Sequence, residues 1–292
     1  MPFRILHLLT LAELGGMEAS VLPMIQKMDP KAFQCEIAVL RGSGPMTERW
    51  REAGISVTHL NVSCSWNPFL LRKLVHLFRQ GRYDVITLYG VTVNVLGRLA
   101  GWMAGQPGLV GVIRGFSNER SISQIRLWLD RLTFPLINCY VSNSQAVIDH
   151  LIKEGFSPEK LKLVNTGLST ELYDSAPSVD EARRQLGIGG GSPPVIACVG
   201  NLRPVKDHFL LLQACSDLKR KGYKFLLLLI GTGPEEELVR KGIEQLSLSN
   251  FVLLMGQRED IPTVLAASDI FVLSSIWEGL PRSIMEAMAS SL

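Results

Sequence analysis

Runs of apolar residues of strand length alternate with amphipathic helical stretches along nearly the whole chain, and this alternation constrains the fold most. Such runs, apolar on both faces and linked by helices, are typical of parallel strands, because crossover helices cover both faces of the sheet. The first set comprises Arg4–Thr10, Cys35–Arg41, Val57–Asn61, Val85–Tyr89, Leu109–Arg114, Cys139–Ser142 and Leu161–Val164. Helical patterns between them include Met17–Met28, Pro68–Gln80, Val91–Ala104 and Gln145–Glu154. The sequence therefore predicts a doubly wound α/β sheet.

A stretch rich in proline, glycine and serine interrupts this alternation at residues 175–194, with one short helical pattern, Asp180–Leu186, inside it. That composition is typical of a linker. Four more strands are then predicted, at Val195–Val199, Phe225–Ile230, Phe251–Met255 and Ile270–Leu273. Helices are predicted near His208–Lys221, Glu235–Gln245, Ile261–Ala267 and Pro281–Ser290. We therefore predict two Rossmann-like domains, residues 1–174 and 195–292, facing a cleft at the carboxyl ends of their strands, where such sheets bind ligands.

The run Ile270–Leu273 has the composition of an interior strand, yet no further strand pattern follows it before Leu292. In the usual doubly wound order, this fourth strand pairs with the first strand of its sheet and is flanked by a fifth. An apolar edge left uncovered favours aggregation. We therefore expect the second domain to be incomplete and the chain to be a C-terminally truncated piece of a longer protein.

Composition argues against several classes of protein. The chain has 292 residues, 47% of them hydrophobic and 20% charged, which is typical of a globular protein with room for two domains. A net charge of +3 is too small to indicate a nucleic-acid partner. The cysteines and histidines show no metal-ligand spacing, so we expect reduced thiols and no metal cofactor. No run approaches the roughly 18 apolar residues of a membrane-spanning helix. We therefore predict a cytoplasmic protein.

The helical pattern at Pro68–Gln80 is amphipathic and basic, which leaves two interpretations open. A helix of this kind can lie on a membrane surface, which would make the protein peripheral on the inner membrane face. It can also be a core helix with a solvated basic edge, and this is the interpretation that we favour. Membrane contact is expected only from the surface.

Two glutamates, Glu278 and Glu286, follow the last predicted strand with seven residues between them. Gly279 and Pro281 indicate a turn and the first position of a helix, so Glu278 is expected in a loop and Glu286 inside the helix. The amides at this helix N-terminus suit a diphosphate, while the carboxylates could accept hydrogen bonds from a sugar and a ribose. The alternative is an acid that complements the helix dipole and a second acid on a solvated face.

Charged and glycine residues also follow the earlier strands of the second domain. After the strand that ends at Gly200, Arg203 and Lys206 could neutralise a leaving diphosphate without a metal ion, or be solvated loop charges. After the next strand, Gly231 and Gly233 allow close backbone approach to a ligand, although a tight strand-to-helix turn explains them as well.

Three further loops carry candidate residues. Gly15 and Gly16 join the first strand to the first helix and would let the chain pass close to a ligand. Arg114 and Asn118 lie beyond the fifth strand and are expected to face the same cleft. Arg258 follows the third strand of the second domain, where it could meet a nucleotide base or belong to a plain loop.

The order and spacing of these segments together resemble the retaining glycosyltransferases of family 4, which have the GT-B fold. The matching segments are Gly15-Gly-Met-Glu18, Val199-Gly-Asn-Leu-Arg-Pro-Val-Lys-Asp-His208, Ile230-Gly-Thr-Gly-Pro234, Gly256-Gln-Arg-Glu-Asp-Ile-Pro262, Ala266-Ala-Ser-Asp-Ile-Phe-Val-Leu-Ser-Ser275 and Glu278-Gly-Leu-Pro-Arg-Ser-Ile-Met-Glu-Ala-Met-Ala289. The resemblance covers the first domain and roughly the first two-thirds of a complete second domain.

The resemblance implies a donor site whose residues are Gly15, Gly16, Gly200, Arg203, Lys206, Gly231, Gly233, Arg258, Glu278, Gly279, Leu280 and Glu286. Glu278 would bind hydroxyls of the donor sugar and Glu286 the nucleotide ribose. Arg203 and Lys206 would hold the diphosphate, and these two cations and Glu278 are the implied catalytic residues. The glycine pair of the first domain would close over the donor.

Two positions depart from the family's pattern. Asn201 stands where many members carry an arginine after the glycine, so Arg203 must supply that charge. Arg114 stands where many members carry a histidine at the end of the fifth strand, which puts its contact with the donor sugar in question.

The resemblance implies transfer of a sugar from a UDP- or GDP-linked donor to an acceptor hydroxyl with retention of configuration. A sugar or lipid-linked acceptor, in polysaccharide or glycolipid synthesis, would be the second substrate, and no metal or other cofactor is expected. Two alternatives stay open. One is a sugar-nucleotide epimerase or hydrolase on the same fold, and the other is an inactive fragment that binds nucleotide weakly or not at all.

Overall fold

The computed structural model describes residues 2–12, 17–62, 68–114 and 124–292. The chain divides into two compact units, Met1–Thr166 and Gly167–Leu292. Each unit contains a parallel sheet and the helices that connect its strands, which confirms the predicted α/β class. None of the helices in the described ranges is long and apolar enough to cross a bilayer.

The described strands of the first unit are β1 (Phe3–Leu9), β2 (Phe33–Val39), β3 (Ser56–His59), β4 (Val85–Tyr89), β5 (Leu109–Ile113), β6 (Cys139–Ser142) and β7 (Leu161–Leu163). They form one parallel sheet in the order β3-β2-β1-β4-β5-β6-β7. The helices are α1 (Glu18–Gln26), α2 (Pro45–Glu52), α3 (Pro68–Gly81), α4 (Val91–Ala104), α5 (Gln124–Thr133) and α6 (Gln145–Lys153). Right-handed crossovers place α1 and α2 on one face of this sheet and α3 to α6 on the other.

A buried ion pair joins α4 to α5. The Arg98 and Asp130 side chains are 0% and 1% exposed, and Arg98 Nη1 donates to Asp130 Oδ1 at 2.7 Å. Arg98 Nη2 also donates to Asn94 Oδ1 at 3.3 Å, and the guanidinium lies 4.9 Å from the ring centre of Tyr140. Burial raises the pKa of Asp130, and the charge of Arg98 opposes that shift. Because either charge alone would be costly to bury, the pair fixes how the two helices meet.

The described strands of the second unit are β8 (Val195–Val199), β9 (Leu226–Ile230), β10 (Val252–Gly256) and β11 (Ile270–Phe271), in the order β10-β9-β8-β11. The pairing of β11 with β8 agrees with the predicted doubly wound order. β11 is shorter than the predicted strand Ile270–Leu273. It pairs on one side alone in the described sheet, and Val272 N makes the last hydrogen bond to β8, with Ala197 O at 2.9 Å.

The segment predicted as a linker is part of the second unit. This unit begins at Gly167 and has the helices α7 (Glu171–Asp174), α8 (Val179–Gln185), α9 (His208–Arg220), α10 (Glu236–Gln245), α11 (Ile261–Ala266) and α12 (Arg282–Ala289). Ile188 is buried in the same hydrophobic cluster as Val195. Arg183 on α8 donates to Asp269 Oδ2 at 2.7 Å, just before β11. Linker composition is a local property, whereas the contact between Arg183 and Asp269 joins residues 86 positions apart.

Candidate functional site

The candidate residues of the second unit lie at the carboxyl ends of its strands, where parallel strands bring their following loops together. Main-chain hydrogen bonds join these loops, among them Gly200 N to Ile230 O at 2.9 Å, Leu202 N to Thr232 O at 3.0 Å, and Gly231 N to Gly256 O at 2.8 Å. The loops after β8, β9 and β10 therefore form one connected edge.

The two glycines after β9 are required by packing between main chains. Gly231 has φ 138°, and a Cβ atom there would lie 2.1 Å from Gly200 O. A Cβ atom on Gly233 would lie 2.3 Å from Leu202 O. Since real Cβ atoms do not approach so closely, a side chain at either position would force the loops apart. Gly231 and Gly233 thus allow the loop after β9 to pack closely against the loop after β8.

Lys206 and Glu278, separated by 72 positions in sequence, form an ion pair between Lys206 Nζ and Glu278 Oε1. The same carboxylate oxygen accepts a hydrogen bond from Ser275 Oγ at 2.8 Å. Ser274 Oγ donates to Lys206 O at 2.8 Å and Ile276 N to Val205 O at 2.9 Å, so the two loops are held together along their length. The fold thus brings together two of the three implied catalytic residues.

Arg203 is near this pair in sequence but is not joined to it. Its side chain is exposed and makes neither a hydrogen bond nor an ion pair with another described residue. The short 3₁₀ helix Pro204–Lys206 follows it, and Asp207, in the left-handed region at φ 44°, caps α9 by accepting from Leu210 N at 3.2 Å. The loop after β8 therefore carries Lys206, which is paired with a carboxylate, and Arg203, which is exposed to solvent.

Glu286 is buried on α12, with its residue only 8% exposed. Its Oε1 accepts a hydrogen bond from Arg282 Nε at 2.8 Å, four residues earlier on the same helix. Tyr173 lies on α7, far from Glu286 in the sequence but next to it in the fold. Burial raises the pKa of the Tyr173 hydroxyl, and the charge of Glu286 raises it further. The sequence predicts Pro281 as the first helical residue, whereas in the structure it is the N-cap, with ψ 126°, and α12 begins at Arg282.

Tyr173, Arg282 and Ser275 are site residues that the sequence prediction missed. The spacing of Arg282 and Glu286 was a usable signal, because residues four apart lie on one helix face. Ser275, three residues before Glu278, also lay within reach of a local argument. Tyr173 carries no local signal, since its neighbour in the fold lies more than 100 residues away in the sequence.

The remaining candidates of the second unit have more ordinary surroundings. Arg258 binds Asp260 through two hydrogen bonds, Nε to Oδ1 at 2.8 Å and Nη2 to Oδ2 at 2.6 Å. The guanidinium holds the pKa of Asp260 below its usual value, so the charge of Arg258 is largely compensated. Gly279 and Leu280 form the half-buried bend between Glu278 and α12.

In the first unit, Arg114 directly follows β5 at the carboxyl end of that strand. Gly15, Gly16 and Asn118 lie outside the described residues. The carboxyl end of the neighbouring strand β4 carries the buried Tyr89, whose hydroxyl lies 3.1 Å from Nδ1 of His7 on β1. Burial lowers the pKa of His7 to about 4.

The described residues contain no group of three or more histidine, cysteine, aspartate or glutamate side chains that could hold a metal ion. The site offers two cations, a partly exposed carboxylate and a serine hydroxyl within one loop cluster. An anionic ligand could replace Glu278 as the partner of Lys206, and the released carboxylate could then accept hydrogen bonds from ligand hydroxyls. This combination suits a ligand with both an anionic and a polyhydroxyl part.

Comparison with known proteins gives matches over both units. The family model described as Glycosyltransferase Family 4 matches residues 14–172, and that described as Glycosyl transferases group 1 matches residues 178–292. The chain is 26% identical over 307 residues to the UDP-Gal:alpha-D-GlcNAc-diphosphoundecaprenol alpha-1,3-galactosyltransferase of Escherichia coli. That match covers 99% of this chain and 78% of the relative.

Two further matches point the same way. The N-acetylgalactosamine-N,N'-diacetylbacillosaminyl-diphospho-undecaprenol 4-alpha-N-acetylgalactosaminyltransferase of Campylobacter jejuni is 25% identical over 77% of this chain and 60% of its own length. The solved structure of Anabaena HepE in complex with UDP and glucose has a TM-score of 0.85 at 23% identity, covering 99% of this chain and 78% of that one. The two-unit architecture is therefore the GT-B fold. Since a single family model spans more than half of its residues, the chain belongs to glycosyltransferase family 4.

Proposed function

We propose that the chain transfers a sugar from a UDP- or GDP-linked donor to an acceptor hydroxyl, with retention of configuration at the anomeric carbon. The observation that carries this proposal is the Lys206–Glu278 pair at the strand ends, with Ser275 on the same carboxylate oxygen. A diphosphate can replace Glu278 as the partner of Lys206, and the hydroxyls of a sugar can then donate hydrogen bonds to the released carboxylate. One ligand that contains both groups, a sugar nucleotide, satisfies both residues.

Negative charge develops on the diphosphate as the bond to the sugar breaks. Lys206 and the solvent-exposed Arg203 lie in one loop, and we propose that both contact the diphosphate once the donor has bound and stabilise that charge. Glu278 would orient the sugar and Glu286 the ribose. The two cations supply the stabilisation that a metal ion gives in other enzymes, so we propose a metal-independent reaction. Gly15, Gly16, Arg114 and Asn118 stay predicted contacts of the first domain.

The names of the two relatives support a lipid-linked acceptor. Both describe an α-glycosyl transferase whose acceptor carries a diphospho-undecaprenol group. We therefore propose that this chain acts in polysaccharide or glycolipid synthesis on a sugar or on a lipid-linked sugar.

The test is incubation of the chain with UDP- and GDP-linked sugars labelled in the sugar, each with and without a polyprenyl-diphosphate sugar as acceptor. We expect label in the acceptor, and an α linkage by the proton coupling constant of the anomeric position when the donor is the α anomer. Epimerised sugar nucleotide without acceptor would indicate an epimerase, and free sugar a hydrolase. Calorimetry with UDP and GDP adds a direct measure of donor binding, and heat from neither would contradict the proposed site.

A further inference from the structure

Glu278, the carboxylate proposed to bind the donor sugar, already has two partners in the structure. Its Oε1 is paired with Lys206 Nζ and accepts a hydrogen bond from Ser275 Oγ at 2.8 Å. The side chains of Lys206 and Glu278 are 17% and 26% exposed, so a ligand can reach both. Because Lys206 is the proposed partner of the diphosphate, the two parts of the donor are recognised by the two halves of one ion pair.

The ion pair can open without parting the loops that carry it. Ser274 Oγ donates to Lys206 O at 2.8 Å, and Ile276 N donates to Val205 O at 2.9 Å. Both bonds end on main-chain oxygens, so they hold the loops together wherever the Lys206 ammonium group points. The ion pair is therefore a contact that a ligand can replace while the loops keep their arrangement.

Arg203 differs from Lys206 in this respect. Its side chain is exposed and makes neither a hydrogen bond nor an ion pair with another described residue. A diphosphate can therefore meet Arg203 without breaking an existing contact, whereas it reaches Lys206 only by displacing Glu278. Displacement of one partner from a partly solvated ion pair lowers affinity by about fivefold.

We infer that Glu278 makes the donor site distinguish a sugar nucleotide from the nucleoside diphosphate that remains after transfer, an inference that rests on the proposed function. A sugar nucleotide gives both residues new partners: the diphosphate pairs with Lys206, and sugar hydroxyls donate to Glu278. A nucleoside diphosphate pairs with Lys206 alone. Glu278 then keeps the hydrogen bond from Ser275, but it has lost its cation and lies beside a second anion.

The consequence is weaker binding of the spent nucleotide. Once the sugar has passed to the acceptor, Glu278 competes with the diphosphate for Lys206, and this competition favours release of the nucleotide. Glu278 is thus a specificity-determining residue that couples the grip on the diphosphate to the presence of the sugar. Such a coupling between two parts of a site is measurable as a difference in affinity between ligands that fill both parts and ligands that fill one.

Calorimetry on the whole chain with UDP, GDP and the sugar nucleotides of the transfer assay tests the inference through Glu278→Gln. The glutamine has the same shape and can still accept a hydrogen bond from Ser275, but it cannot form an ion pair with Lys206. We expect the variant to bind the nucleoside diphosphate about fivefold more tightly than the wild type does. Its preference for the sugar nucleotide over the nucleoside diphosphate should fall by about 10- to 100-fold, because the sugar loses a charge-assisted hydrogen bond.

Two comparisons show whether the gain in affinity comes from the release of Lys206. In a Lys206→Ala background, the gain from Glu278→Gln should be about fivefold smaller, because no ion pair is left to break. The matched control is Glu237→Gln, which removes one negative charge from α10 of the same unit and frees Lys241, its partner at 3.5 Å. This control should leave nucleotide affinity unchanged. Urea unfolding checks that each variant is folded.

Unchanged or weaker binding of the nucleoside diphosphate by a folded Glu278→Gln variant would overturn the inference and leave the proposed function standing. An equal gain in the Lys206→Ala background would also overturn it, because repulsion between Glu278 and the diphosphate would then account for the whole effect. The same holds for an equal gain in Glu237→Gln, which would follow from net charge alone. If the wild type binds neither UDP nor GDP, the proposed function fails and the inference fails with it.

Discussion

Replacement of Lys206 by alanine separates a donor-binding role from a structural one. In the unliganded chain, Lys206 pairs with Glu278 and its side chain passes over Gly200, where a Cβ atom would lie 3.5 Å from Lys206 Cε. The proposed function requires this ammonium group to leave the glutamate and hold the diphosphate. The variant therefore loses one contact in the free protein and a different one in the complex.

The expected magnitudes of the two losses differ. Removal of one preorganised contact to a developing anion typically lowers kcat/KM by about 10²–10³, or about 3–4 kcal/mol. The loss of stability should be smaller, because the side chains of Lys206 and Glu278 keep 17% and 26% exposure and Glu278 keeps its hydrogen bond from Ser275. For a partly solvated pair with one remaining partner, about 1 kcal/mol is expected.

The assay compares transfer kinetics, UDP affinity by calorimetry and urea unfolding for the wild type, Lys206→Ala and Lys241→Ala. Lys241 is the matched control: it pairs with Glu237 at 3.5 Å in the same unit, but on α10 and with 60% of its side chain exposed. UDP affinity should fall about 10- to 100-fold in Lys206→Ala, since a charge-assisted hydrogen bond contributes about 1.5–3 kcal/mol, and should not change in Lys241→Ala.

Wild-type turnover and UDP affinity in a folded Lys206→Ala variant would refute the assignment of this lysine to the diphosphate. An equal loss in Lys241→Ala would also refute it, because the effect would then follow from net charge alone. If the loss of stability matches the loss of activity, the pair is a structural contact between loops.

Three further perturbations test the fold itself. Gly231→Ala should destabilise the second unit by about 2–4 kcal/mol in urea unfolding, because its Cβ would meet Gly200 O, whereas Gly189→Ala, with nothing within 4 Å, should be nearly neutral. Arg98→Met leaves the Asp130 carboxylate buried without its partner and should cost about 3–5 kcal/mol, which the added change Asp130→Leu should largely restore. Burial lowers the pKa of His7 from 6.5 to about 4, so between these pH values the unfolded chain binds a proton that the folded chain does not. As pH decreases through this range, the free energy of unfolding should therefore fall by up to about 1.4 kcal/mol per pH unit. His7→Gln should remove this contribution to the pH dependence of stability.

The strands could be predicted where both faces are buried. Val85–Tyr89, Cys139–Ser142 and Val195–Val199 have the same predicted and observed bounds, because every residue of these runs is buried or half-buried and each run is followed by glycine or asparagine. Where a strand pairs with a neighbour on one side alone, the length of the apolar run does not give the length of the hydrogen-bonded strand. β11 ends at Phe271 although its apolar run continues to Leu273, since pairing is decided by the neighbouring strand rather than by composition.

Contacts between distant segments limited the prediction of the site. The strand-end positions of Lys206 and Glu278 were predictable, because parallel strands end at one edge of their sheet. Their direct pairing was not, since it depends on how the loops after β8 and β11 fold against each other. The segment at residues 175–194 shows the same limit: its composition indicates a linker, but Ile188 is buried with residues of the sheet that follows.

The two glutamates of one sequence segment have different electrostatic surroundings, and this difference bears on their proposed roles. Glu286 is buried and balanced by Arg282 on its own helix, an arrangement that a ligand need not disturb. Glu278 is partly exposed and balanced by Lys206 from another loop, a partner that a diphosphate can take away. Donor binding would therefore leave the ion pair between Glu286 and Arg282 intact. It would replace the ion pair between Glu278 and Lys206 by contacts of these two residues with the ligand. A residue whose partner is exchangeable suits contact with the reacting sugar, and one whose partner is fixed suits the ribose, which does not react.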